Sequence, residues 1–268
     1  MPAPDTHAGR PRHPWFAASE TPRVLAHRGL VTPEDAADGV AENSFAAVAA
    51  AHSGGALYVE SDCHLTADGV VVLFHDADLS RVTGDPRPIA EVTVRELEHL
   101  MADRGVLITL AQALDAFPTL RFNLDVKAAA AAGPVGATVA RHADRVLLTS
   151  FSDARRREAL AAAEAAGRGI RPATSPGTAT IARLLTALAS RSGRLVARAL
   201  RDVDALQVPE RQGRIRVLTP RLIAAAHRHD VEVHVWTVND PDEMRRLIDM
   251  GVDGIVTDRA DVALDALS

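Results

Sequence analysis

The chain has 268 residues, 47% of them hydrophobic and 24% charged, with a formal net charge of -5. That composition permits one large core, within the size of a single α/β barrel, and excludes the concentrated basic face of a nucleic-acid binder. The single cysteine, Cys63, excludes an intrachain disulfide framework and is compatible with a reducing cytoplasm.

In chain order, residues 1–22 carry several prolines and no apolar h-region. They read as a flexible N-terminal arm and not as a secretory signal, which favours a cytoplasmic location. Residues 23–268 then alternate strand and helix signals. The candidate strands are Val24–His27, Leu57–Asp62, Val70–His75, Phe122–Lys127, Val146–Phe151, Gly169–Ala173, Ala205–Val208, Val233–Val238 and Gly254–Thr257. Helix starts between them are marked by capping residues. Asn43-Ser44 precedes an alanine-rich segment that Gly54-Gly55 closes. Thr93 with Glu96 forms a capping-box signature. Thr219-Pro220 and Asp240-Pro241 each set an N-cap ahead of a proline, with Glu243 completing a second box. The run Ala128–Ala132 reads as loop or early helix. No apolar run approaches the roughly 18–20 residues of a membrane span, so no stable membrane insertion is expected.

Strand-helix alternation argues for a parallel sheet, and polar groups at several strand ends favour a (β/α)8 TIM barrel. The rival is a doubly wound open sheet, which the lack of a G-x-G-x-x-G after the first strand disfavours. Nine strand candidates compete for eight places. The link from Asp62 to Val70 is too short for a parallel crossover, which needs about a dozen residues. Either that segment doubles back or one candidate lies outside the barrel.

The chemistry-bearing residues gather at these strand ends. Ala26-His27-Arg28-Gly29, Ala41-Glu42-Asn43-Ser44, Glu60-Ser61-Asp62 and Phe74-His75-Asp76 supply two histidines and several carboxylates within fifty residues or so. Glu60 and Asp62 share one strand face, because side chains repeat every two residues. In a barrel wrapped by helices that face points inward, and two inward carboxylates repel unless a cation joins them. Asp125 and Lys127 repeat the spacing in an otherwise apolar strand, where an unpaired inward charge is costly. Taken singly, His27 and Arg28 are equally readable as a solvated strand end, and Glu60 with Asp62 would look the same as a solvent-facing pair. Their conjunction at four strand ends of one chain points to a polar site at the barrel centre.

The order and spacing resemble the glycerophosphodiester phosphodiesterase family. The resemblance runs from about Arg23 to Asp258 and is most specific from Ala26 to Thr83, closing on His75-Asp76-Ala77-Asp78-Leu79-Ser80-Arg81-Val82-Thr83. Asn123-Leu124-Asp125-Val126-Lys127, Ser150-Phe151, Val235-Trp236-Thr237-Val238-Asn239 and Gly251-Val252-Asp253-Gly254-Ile255-Val256-Thr257-Asp258 match its later motifs. The departures are a long first loop from Leu30 to Ala41, Ala41 where proline is usual, and Asp125 in place of glutamate. The segment between His75 and Thr93 leaves no room for the insertion domain of some members.

The resemblance, read with the residue chemistry, implies metal-dependent hydrolysis of a small glycerophosphodiester to glycerol 3-phosphate and an alcohol. Glu60, Asp62 and Asp125, with Glu42 close by, would hold one divalent cation, and an all-oxygen set selects Mg²⁺, Ca²⁺ or Mn²⁺ over Zn²⁺. Arg28 and Lys127 would hold the remaining phosphate oxygens. His27 and His75 would divide general acid and general base work. Trp236 would wall the alcohol pocket, unless it serves only in packing. His52, His64, His99 and His234 read as surface or structural, with His64 close to the site on the face of Asp62. The alternatives are a related barrel phosphodiesterase of phospholipase C or D type, and a non-catalytic phosphate-binding barrel.

Overall fold

The computed structural model describes residues 12–16, 21–167 and 169–268. Its strands, in chain order, are β1 (Arg23–His27), β2 (Tyr58–Leu65), β3 (Val71–Leu73), β4 (Arg121–Val126), β5 (Val146–Thr149), β6 (Ala173–Thr174), β7 (Ala205–Val208), β8 (Arg211–Gln212), β9 (Ile215–Arg216), β10 (Glu232–Val235) and β11 (Gly254–Thr257). Eight run parallel in the order β6-β5-β4-β2-β1-β11-β10-β7. No ladder joins β6 to β7. Asp204 N–H instead donates to Thr174 O at 2.9 Å, and Gln207 N–H donates to the Ser175 hydroxyl at 3.1 Å. The result is a nearly closed (β/α)8 barrel.

The surplus candidate is Val70–His75, which lies outside the barrel as β3. β3 pairs antiparallel with β2, Cys63 opposite Leu73 and Leu65 opposite Val71, so the short link does double back. The segment expected as a strand from Gly169 to Ala173 shrinks to Ala173–Thr174. Pro172 and Pro176 flank it, and neither can donate to a ladder. The β8–β9 hairpin in the loop after β7 carried no signal strong enough to be foreseen.

Alternation along each barrel strand sorts the side chains. On β2, Val59 and Cys63 pack outward into the shell between strands and helices, whereas Tyr58 joins an inner cluster with Leu25, Leu147, Ala173, Ala205 and Val256. Glu60 and Asp62 share the face of Tyr58 by the same period of two. On β4, Phe122, Leu124 and Val126 belong to the outer shell, which leaves Asn123, Asp125 and Lys127 inward. The apolar shell therefore fixes the register that turns these polar residues toward the barrel axis, since a one-residue slip would bury their charges among the helices.

The N-terminal end of the barrel is plugged. Most of the expected flexible arm, 1–11 and 17–20, lies outside the described residues, but Pro14–Phe16 forms a 3-10 turn with Trp15 and Phe16 buried. The Trp15 indole N–H donates to Phe122 O at 3.1 Å, and its ring lies edge-on to Tyr58 at 4.8 Å. In the same layer the Arg23 guanidinium grips Glu232 through two hydrogen bonds of 2.8 and 2.9 Å. Within this stretch the segment is no free arm: a tryptophan flanked by Pro14 and Phe16 has apolar surface to bury, and the open barrel end supplies the place.

The helix starts follow their caps. Ser44 caps Phe45–Ser53, which ends at Gly54, and Thr93 with Glu96 forms a reciprocal box on Val94–Leu100. Thr219 and Asp240 cap helices with proline in the first turn. Glu243 does not complete a second box, because its carboxylate turns to Arg246. Ala128–Ala131 is loop, and Ala132 begins the helix Ala132–Val139.

Candidate active site

At the C-terminal ends of the strands a cleft of about 550 Å³ opens, the face on which barrels of this kind build their sites. His27, Arg28, Glu60, Asp62, His75, Asp125, Lys127 and Trp236 all line it, so the sequence-chosen residues are brought together with one exception. Glu42 stands apart. Its carboxylate is held by Arg28 Nη1 at 2.7 Å and Arg81 Nη2 at 2.6 Å.

The first two loops lock each other. Arg28 and Asn43 both adopt left-handed backbone, with φ of 59° and 58°. Arg28 N–H donates to Glu60 O and Asn43 N–H donates to Arg28 O, each at 2.8 Å. Between them Gly29 has φ 89°, and a Cβ there would sit 2.6 Å from the Ala47 carbonyl carbon. No other residue fits the His27-Arg28-Gly29 turn without shifting the helix Phe45–Ser53. Such strained, over-determined backbone belongs to functional loops.

Each histidine leans on a carboxylate. His27 Nδ1 lies 2.6 Å from Asp258 Oδ1, and His75 Nδ1 lies 2.7 Å from Asp76 Oδ1. Burial pulls the His27 pKa down, but the Asp258 hydrogen bond and the Glu60 charge outweigh it and leave the imidazole above its ordinary value. Asp258 is itself fixed by Asn239, whose amide donates to Oδ2 at 2.7 Å. Asp76 is also held by Arg81 at 2.6 Å, which couples the His75 side to Glu42 and Arg28. His64 is structural: it is buried and donates its Nε2–H to the His75 carbonyl at 3.1 Å. His234 is buried on the inner face against Glu232 at 3.0 Å, with burial pushing its pKa down to about 3.

The register sets the acidic centre. Asp62 pairs with Asp125, and Glu60 pairs with His27 on one side and Asn123 on the other. Lys127 Nζ bridges the aspartates, 2.9 Å from Asp62 and 2.7 Å from Asp125. Arg28 Nε lies 3.2 Å from Asp62 Oδ2, out of line for a hydrogen bond, while Asn43 donates to the same oxygen at 3.2 Å. Burial, followed by the Asp62 charge, raises the Glu60 pKa to about 8. Burial likewise raises that of Asp125. Lys127 is held above its ordinary value, because the two aspartates outweigh its own desolvation.

Three buried acceptor oxygens here meet no donor: Glu60 Oε2, Asn123 Oδ1 and Asp125 Oδ1. Buried polar atoms are nearly always satisfied, so three orphans of one kind in one place mark a missing positive partner. As the side chains stand, Lys127 fills the gap between the aspartates. Among the described residues no three of His, Cys, Asp and Glu already converge as a metal cluster.

The other wall of the cleft is apolar. Phe151, 59% exposed, meets Trp236 edge-on at 5.9 Å and lies under Lys127 Nζ at 5.5 Å. Ile181 and Leu185 from the helix Thr178–Ala189 and Ile215 from β9 continue that wall. Asp258, Asp76, Arg81, Asn43 and Asn123 belong to the site's framework, although the sequence assigns them no role beyond membership of the motifs that carry the resemblance. An aspartate one residue beyond the end of the last strand, which lies beside the first in a closed barrel, was the available signal for Asp258.

A parallel barrel with histidines, cations and buried carboxylates converging at its C-terminal mouth defines a barrel hydrolase for an anionic substrate. The chain belongs to the glycerophosphoryl diester phosphodiesterase family, whose model matches residues 27–262, and with that membership it is a phosphoric diester hydrolase. It is 38% identical over 248 residues to a probable glycerophosphodiester phosphodiesterase 2 of Mycobacterium tuberculosis, covering 91% of this chain and 90% of the relative. Its fold is similar to the glycerophosphodiester phosphodiesterase of Agrobacterium tumefaciens, with TM-score 0.69 and 23% identity over 91% of this chain and 98% of that one. It is similar also to an Oleispira antarctica phosphodiesterase solved with the product sn-glycerol-3-phosphate, with TM-score 0.68 and 22% identity over 92% and 97% of the two chains.

Proposed function

We propose that this chain hydrolyses glycerophosphodiesters to glycerol 3-phosphate and an alcohol, with one divalent cation held by Glu60, Asp62 and Asp125. The observation that carries the metal reading is the set of orphaned oxygens on Glu60, Asn123 and Asp125. An all-oxygen donor set suits Mg²⁺, Ca²⁺ or Mn²⁺. When bound, the cation would neutralise charge on the phosphate as it grows in the transition state. Taking up a cation requires Lys127 to leave its bridge between the aspartates. Glu42 is better suited to steadying Arg28 than to ligating, because two guanidinium groups already occupy its carboxylate.

The protein's own groups do the rest. Arg28 presents a fork to two phosphate oxygens, while Lys127, released from its bridge, supplies a point charge to a third. His27 and His75 divide the proton transfers: one takes a proton from the attacking water or hydroxyl and the other gives one to the leaving alcohol. Asp258 and Asp76 hold their Nδ1 atoms, which leaves each Nε2 for that exchange. Trp236 and Phe151 wall the leaving alcohol. The Oleispira enzyme's product supports glycerol 3-phosphate as the retained half. The reading includes a small-molecule substrate and, on the strength of the single buried Cys63, a cytoplasmic location. No helix among the described residues is long and apolar enough to cross a membrane.

A second reading, cleavage of monoacyl lipids by the same chemistry, is favoured by the apolar rim, where Phe151 and Ile215 are 59% and 62% exposed. One assay series tests both. Glycerophosphodiesters of choline, ethanolamine, inositol and glycerol are set beside lysophosphatidylcholine, each with Mg²⁺, Ca²⁺ or Mn²⁺. Release of glycerol 3-phosphate from the glycerophosphodiesters in the presence of a metal is the expected result, and release of choline with an acylglycerol phosphate from lysophosphatidylcholine would favour the second reading. A persistent cyclic phosphate, or no turnover of any diester, overturns the reading.

A further inference from the structure

A second cleft, of about 810 Å³, lies on the outside of the barrel among the helices Asp153–Ala166, Thr178–Ala189 and Gly193–Leu200. Five arginines line it, namely Arg156, Arg157, Arg171, Arg183 and Arg198, against two carboxylates, Glu164 and Asp202. Arg156 is only 7% exposed. Its Nη1 donates to Thr174 Oγ1 at 3.1 Å and its Nη2 reaches Asp153 at 3.5 Å, but its buried Nε–H finds no acceptor. Arg171 is paired with Asp204 at 2.7 Å, and Arg183 touches only the Thr180 hydroxyl at 3.4 Å. Arg157 and Arg198 make no side-chain ion pair or hydrogen bond among the described residues. The remaining wall is aliphatic, from Leu160, Leu195 and Val203, and Leu195 is 49% exposed.

Like charges gathered around a cavity repel, and burial of Arg156 makes an unfilled donor there more costly still. The pairing that removes both costs is an anion with several acceptor oxygens, because guanidinium forks match phosphate two bonds at a time. A concave space of this size admits a small molecule, whereas a nucleic-acid strand or a bilayer surface would need a stripe or a flat face. The aliphatic wall beside the forks selects a ligand with an apolar half. We propose that this outer cleft is a binding site for an organic phosphate monoester, its phosphate on Arg156, Arg157 and Arg198 and its apolar half on Leu160 and Leu195. The site is separate from the catalytic cleft but stands back to back with it. The helix Thr178–Ala189 gives Ile181 and Leu185 to the catalytic side and Arg183 and Thr186 to this one.

Calorimetric titration with butyl phosphate and with inorganic phosphate tests the proposal on three proteins: the wild type, Lys127→Met, and the double variant Arg157→Glu/Arg198→Glu. Both surface arginines are exposed, so the double variant should fold and keep wild-type turnover on glycerophosphocholine. Butyl phosphate should bind Lys127→Met as tightly as the wild type at the outer cleft, and at least about tenfold more weakly to the double variant, a loss of about 1.4 kcal/mol or more. Inorganic phosphate should bind more weakly than butyl phosphate. Binding that Lys127→Met abolishes and the double variant leaves untouched would overturn the proposal, by assigning all phosphate affinity to the catalytic cleft. Absence of binding to the wild type would overturn it equally, and equal affinity for the two probes would remove the apolar half.

Discussion

His27 and Asp258 stand side by side at the ends of the neighbouring strands β1 and β11, with Nδ1 of the imidazole 2.6 Å from the carboxylate. A carboxylate accepts and cannot donate when ionised, and the His27 hydrogen bond holds the Asp258 pKa below its ordinary range. Nδ1 therefore carries the proton, and Nε2 is the atom left for chemistry. His27→Ala should cost at least about 10²-fold in rate, as should His75→Ala. Asp258→Asn should cost less but should also move a limb of the pH–rate profile. Asp258 raises the His27 pKa, so its removal shifts the His27 limb to lower pH, whichever proton transfer His27 performs. A profile unmoved by Asp258→Asn would demote Asp258 to packing.

The acidic centre links metal, protons and stability. With its pKa raised to about 8, Glu60 holds its proton far more tightly than an ordinary carboxylate when no metal is bound. Its folded value lies above the ordinary 4.5, so the protonated group contributes stability that is fully present below about pH 4.5 and is lost as pH rises through about 8. The apo protein should therefore lose stability over that window, read as a falling melting temperature. Metal binding should release a proton and tighten as pH rises from 6 to 8. EDTA should abolish turnover, with Mg²⁺, Ca²⁺ or Mn²⁺ restoring it, and Glu60→Gln should weaken both affinity and rate. Full activity after exhaustive chelation would sink the metal assignment.

Lys127 bridges the two aspartates, and the proposed function also gives it the phosphate. Lys127→Met keeps the stem and deletes the charge. If the phosphate role dominates, the variant folds, binds metal at least as tightly as the wild type, and loses activity on phosphodiesters. If the lysine only balances Asp62 and Asp125, metal affinity rises with little catalytic loss. Metal titration and turnover on one preparation separate the outcomes.

Arg81 joins Asp76 to Glu42 on the exposed rim, 2.6 Å from each. Exposed ion pairs contribute about 0–1 kcal/mol to stability, so Arg81→Ala should leave unfolding almost unchanged. It should nevertheless lower kcat/KM by roughly tenfold, since it frees the carboxylates that steady Arg28 and His75. A parallel loss of stability and activity would show that Arg81 serves the fold and not the site.

Trp15 is fully buried in the end of the barrel. Trp15→Ala should destabilise by about 3–5 kcal/mol, the usual scale for emptying a buried aromatic site. Urea unfolding measures it, and a change below about 1 kcal/mol would mean that the plug contributes little. Activity at low denaturant should persist, because the plug and the catalytic mouth lie at opposite ends of the strands.

The sequence by itself determined the architecture and most of the site. Apolar runs alternating with capped helices specify a parallel barrel, and a period of two along β2 and β4 puts Glu60, Asp62, Asp125 and Lys127 on the axis once helices cover the outside. Local chemistry was enough there, because a strand's own alternation decides which face is polar. Tertiary structure alone decided relations between distant segments. It set β3 against β2 outside the barrel, paired Glu42 with two arginines, and brought Asp258 to His27 across 231 positions. It also docked Trp15 in the barrel end and gathered five arginines from four separate segments around an outer cleft. Periodicity carries no information on which distant segments become neighbours, so these pairings appear only when the strands assemble, as when the last strand β11 settles beside the first, β1.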